Sequence, residues 1–118
     1  MINPTTVVKA MSAQTYLNGA ASTITNFLRN PAAENGMEYL AQSYGPLKIA
    51  VGPLQQLGHT KLAARLLDDV AALKGAFIGG SGPGKVPNDL VGIRNRILEG
   101  VSVLHFDIAD AAKIPNFR

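Results

Sequence analysis

A chain of 118 residues with 47% hydrophobic side chains has the length of one domain and enough apolar surface for a core, which excludes general disorder. The absence of cysteine excludes disulfides, a thiol nucleophile and cysteine-ligated metal centres. Eleven Lys and Arg against eight Asp and Glu leave a net charge of +3, well short of a dedicated nucleic-acid binder.

Residues 3–6, Asn-Pro-Thr-Thr, form a helix start, with Asn3 as cap and Pro4 at the first helical position. Ala10, Ala13, Leu17, Ala20, Ala21, Ile24, Phe27 and Leu28 then fall on one helical face. Ser12, Thr15, Ser22, Thr23 and Asn26 make the opposite face polar without charge, and Gly19 offers a place for another helix to approach. Residues 10–28 carry no charge over 19 positions, nominally a membrane length. Eight Ser, Thr, Asn and Gln residues in that stretch make it too polar for a lipid-facing helix, so no membrane span is expected. No continuous apolar run follows Lys9, so no secretion signal is expected either, and the location read from the sequence is a virion or the cytoplasm.

Asn30-Pro31 repeats the start signal and predicts a second helix over 31–44, with Met37, Leu40, Ala41 and Tyr44 inward and Gly45-Pro46 as its stop. A turn at Asn35-Gly36 would shorten it. Gly45-Pro46-Leu47 is echoed by Gly52-Pro53-Leu54, and Pro53 argues against one continuous helix there. Residues 60–77 give the strongest pattern in the chain. Leu62, Leu66, Val70, Leu73 and Phe77 form one stripe, widened by Ala63, Leu67 and Ala71. Lys61, Arg65, Asp68 and Asp69 take the other face as solvated charges, with Arg65 and Asp69 at the favourable four-residue spacing. Residues 79–84 read as a loop. Val86-Pro87-Asn88-Asp89 opens a last helix with Leu90, Ile93, Ile97, Val101 and Leu104 inward, and 107–113 either continue it or form a short extra helix. The strand-like fragments 75–78 and 101–106 fit better as helix ends. The predicted class is an all-α compact bundle of four or five helices, forming a single domain over 1–118.

The sharpest motif is Gly79-Gly80-Ser81-Gly82-Pro83-Gly84-Lys85, which matches the first seven positions of a phosphate-binding P-loop. Val86 stands where a magnesium-binding Ser or Thr belongs, and Pro87 follows where the helix should be under way. The preceding residues are helical in pattern and the chain is short for a doubly wound sheet, so the motif is read as a loop that binds no nucleotide. His59 adjoins a helix start and reads as a surface or capping residue. His105 beside Asp107 offers an acid–base pair with no third group to complete a site. No catalytic residue, metal or cofactor is expected.

Lys85, Arg94 and Arg96 form the local basic cluster that a phosphate or nucleic-acid contact would use, with scattered solubilising charge as the simpler reading. Arg94 falls inside the apolar arc between Leu90, Leu98 and Val101, where it must snorkel, pair with a carboxylate or reach across an interface. The charged fraction is 16% against roughly 25% in ordinary soluble domains, and mean hydropathy is +0.12. A free small monomer needs more charge than this, whereas obligate interfaces are charge-depleted. The expectation is therefore a structural subunit of a larger assembly, in its concrete form a phage virion or similar particle. Its partners would be copies of itself or other assembly proteins, with Leu67, Ala71 and Arg94 as candidate interface residues. The alternative is a small helical nucleic-acid-binding or regulatory adaptor using Lys85, Arg94 and Arg96.

Overall fold

The computed structural model describes residues 4–30, 36–75 and 89–112, and the regular structure among them is entirely α-helical. The helices are α1 (Pro4–Arg29), α2 (Gly36–Gln42), α3 (Tyr44–Gln56), α4 (Thr60–Gly75) and α5 (Leu90–Ala112). This is the expected all-α architecture, with five helices.

In α1 the predicted apolar face is the buried one: Ala10, Ala13, Leu17, Ala20, Ala21, Ile24 and Phe27 all enter the core, while Leu28 is half-buried against it. Three threonine hydroxyls of α1 are satisfied by carbonyls of the same helix. Thr15 donates to the Met11 carbonyl, Thr23 to Ala20 and Thr25 to Ala21.

The region 36–56 departs from the expectation. The described part of the second helix runs Gly36–Gln42, ending short of the expected Tyr44, and 31–35 lie outside the described residues. Gly45-Pro46 does not stop a helix but lies in the first turn of α3, where a missing N–H is harmless because first-turn amides have no intrahelical acceptor. Pro53 is accommodated inside α3. A proline ring clashes with the N–H and the Cβ of the residue before it, and Gly52 has no Cβ, which removes one of the two clashes. The Gly-Pro-Leu echo thus has a helical meaning. Seven residues are about two turns, so Leu47 and Leu54 share one face, and both are fully buried.

α3 closes with Gly58 in the left-handed region at φ +95°. The Gly58 N–H donates to the Gln55 carbonyl and the His59 N–H to Leu54, the paired bonds of a Schellman motif. The His59 carbonyl then accepts the Ala63 N–H and starts α4. In α4, Leu62, Ala63, Leu66, Val70 and Leu73 are buried. The stripe is narrower than predicted, since Leu67 and Ala71 face outward. Phe77 lies outside the described residues.

Asp89 caps α5: its carbonyl accepts the Ile93 N–H and its carboxylate the Gly92 N–H. Leu90, Ile93, Ile97 and Leu104 are buried and Val101 half-buried. Residues 107–112 continue the same helix, and 101–106 are its interior.

The four longer helices form a ring in which α1 packs on α5 and α3, and α4 packs on α3 and α5, with α2 mainly against α1. Partner residues fix the directions. Asp69 bonds Arg96 while His59 bonds Asp107, so α4 and α5 are antiparallel. The close approach expected at Gly19 occurs at Gly100 instead. A Cβ on Gly100 would lie 2.8 Å from Leu17 Cδ1, whereas one on Gly19 would meet nothing within 4 Å.

Candidate interaction surface

The α4–α5 seam is held by two polar clasps. Arg96 donates from Nε to Asp69 Oδ2 and from Nη2 to Asp69 Oδ1, each at 2.8 Å, a bidentate pair. Asp89 stands 3.6 Å from Arg96 Nη1. Asp69 is 5% exposed, so it belongs to the interior and not to the solvated face read from the sequence, and its partner is Arg96 rather than Arg65. The hydrogen bond from Arg96 to Asp69 raises the guanidinium above its ordinary pKa, with partial burial opposing.

About 16 Å along the seam, His59 Nε2 and Asp107 Oδ2 lie 2.5 Å apart. His59 therefore does more than begin α4, and Asp107 pairs with it while His105 remains exposed. An open groove of about 390 Å³ borders His59, lined also by Lys61, Arg65, Glu99 and Val103. Among the described residues no group of three His, Cys, Asp or Glu side chains is placed to hold a metal ion.

The outer faces of α1 and α5 have a different character. Every exposed side chain of α1 between Lys9 and Arg29 is uncharged: Met11, Ser12, Thr15, Tyr16, Asn18, Ser22 and Asn26. Met11 is 53% exposed, and Val8, just before, 65%. On α5, Val91, Leu98 and Phe106 point into solvent at 50%, 44% and 65% exposure. α1 and α5 pack tightly against each other, the Gln14 amide donating to the Val101 carbonyl at 3.1 Å.

Of the candidate interface residues, Leu67 and Ala71 are exposed on α4 and Arg94 is half-buried on α5. Arg94 Nε is buried without a hydrogen-bond partner. Of the basic trio Lys85, Arg94 and Arg96, Arg96 is held by two carboxylates, while Lys85 lies outside the described residues, as does the glycine run 79–84. Sequence reasoning missed both clasps because each joins residues at least 27 positions apart. It also missed Val91 and Phe106, although their outward register follows from the same wheel that places Leu90 and Ile93 inward.

No described helix is long and apolar enough to cross a membrane. No protein-family model matches the sequence, and neither a curated protein nor a solved structure matches it.

Proposed function

We propose that this chain is a structural subunit of a larger assembly, a virion-like particle in the concrete case, working through helix-mediated protein–protein contacts and not through catalysis. The observation that supports this reading is the uncharged outer side of α1 lying beside an α5 that turns Val91, Leu98 and Phe106 outward. Charge depletion with apolar and aromatic exposure is the composition of interface cores. The polar clasps support the same reading from the other side. The charge that a small soluble domain would carry outside is partly used within, at Asp69, Arg96, His59 and Asp107.

Sedimentation velocity tests this. The purified chain is expected to sediment as a species larger than 12.4 kDa at micromolar concentration, and Leu98→Lys is expected to shift it toward the monomer with its helical content intact. A wild-type protein that is strictly monomeric at every concentration would overturn self-assembly.

A further inference from the structure

The outward side of α5 carries a pattern that says which partner fits it. Val91, Asn95, Leu98, Ser102, His105 and Ala109 are all exposed and follow one another at spacings of four, three, four, three and four. The face matches a/d spacing over about two and a half heptads, with Val91, Leu98 and His105 at one position and Asn95, Ser102 and Ala109 at the other, so Val91, Leu98 and Ala109 are its apolar members and the flanks must supply the rest of the specificity. The flanks are as telling. Arg94 and Val101 border the seam on the α1 side, and Glu99 and Phe106 border it on the α4 side. Each flank pair is separated by five residues: Arg94 to Glu99, and Val101 to Phe106. In a parallel, in-register pair of helices, flanking residues meet their counterparts on the other strand at this five-residue offset. An arginine would face a glutamate and a valine a phenylalanine, twice each by symmetry.

The state of these side chains in the single chain agrees with this pairing. Arg94 and Glu99 take part in none of the ion pairs among the described residues, while the neighbouring Arg96 is doubly bound. Arg94 is anchored by its stem, with Nε buried and without a partner. Phe106, at 65% exposure, has no apolar cover in the bundle. An antiparallel arrangement would set like flanks together and leave both charges without opposites. Asn95 at a seam position is the kind of polar residue that fixes register and favours two strands.

We infer that the occupant of this face is a second copy of the same chain, docked with its α5 parallel and in register about a two-fold axis, with reciprocal Arg94–Glu99 pairs and Val101–Phe106 contacts. The inference rests on the assembly reading above and names its partner.

Charge reversal and crosslinking test it on the full chain. Arg94→Glu and Glu99→Arg each place like charges across the axis and are expected to weaken dimerisation at least tenfold in sedimentation equilibrium. The double variant carrying both reversals is expected to recover most of that affinity. Glu99 is exposed, so its reversal leaves the fold intact. Because the chain has no cysteine, single Asn95→Cys and Ser102→Cys variants report register directly. Both are expected to form disulfide-linked dimers on mild oxidation, since only a parallel in-register pair brings each position against itself. A dimer indifferent to the reversals, or one crosslinking at a single position or neither, overturns this inference and leaves the assembly reading standing. A chain that is monomeric at every concentration overturns both.

Discussion

α5 has two neighbours and meets them by different means. Toward α1 the seam is close: Gly100 gives Leu17 room to lie where a Cβ would be, and the Gln14 amide donates across it to the Val101 carbonyl. Toward α4 the seam is looser, with solvent grooves between the helices and two polar clasps spanning it. The difference shows where charge and shape each do their work. Small residues on α1 and glycine on α5 allow backbone approach, so dispersion and apolar burial suffice there. Longer side chains at the α4 seam keep the helices apart, and directional pairs set the register.

The largest effect on this contrast is expected at Arg96. Arg96→Met removes the cation but keeps the stem, stranding the buried Asp69 carboxylate. Urea denaturation should show a loss of about 3–5 kcal/mol, and combining it with Asp69→Leu should return most of that loss, because the uncompensated charge is then gone. A loss below about 0.5 kcal/mol, the range of ordinary surface changes, would mean that the α4 seam does not depend on the clasp.

Next comes apolar truncation on the α4 side of the same contact. Leu66, fully buried and in reach of Gly100, should cost about 2–5 kcal/mol on Leu66→Ala. Leu67, its exposed neighbour, should change monomer folding by no more than about 0.5 kcal/mol on Leu67→Ala. Equal losses at the two positions would contradict the facing of α4.

The glycines sharpen the α1 side. Gly100→Ala must displace Leu17, at about 1–3 kcal/mol for overpacking, offset in part by the roughly 1 kcal/mol that alanine gains over glycine inside a helix. Gly19→Ala meets open space and should keep that gain whole. Gly19→Ala should therefore melt at a higher temperature than Gly100→Ala, and equal stabilisation of the two variants would remove the close approach from the account.

These comparisons also show what the sequence makes visible. The buried faces of α1, α4 and α5 could be read in advance because apolar periodicity is a local property, and Leu62, Leu66 and Leu73 repeat it cleanly. The outward turn of Leu67 and Ala71 could not. In an alanine-rich helix the apolar arc is wide, and only the position of α3 and α5 decides which edge is covered. The clasps were hidden for another reason: Asp69 meets Arg96 and His59 meets Asp107 only once the antiparallel register of α4 and α5 exists. Pro53 misled because proline usually ends a helix, and Gly52 before it has no Cβ to clash with the ring. The outward positions of Val91, Leu98 and Phe106 on α5, by contrast, follow from the same wheel, but the polar Asn95, Ser102 and His105 among them hide any apolar stripe.

Thermal unfolding across a hundredfold range of protein concentration tests the central claim most directly. Association through the α5 face stabilises the folded state by mass action, so the midpoint should rise by several degrees with concentration, and Leu98→Lys should flatten that dependence. A midpoint that stays constant across the whole range would contradict self-association.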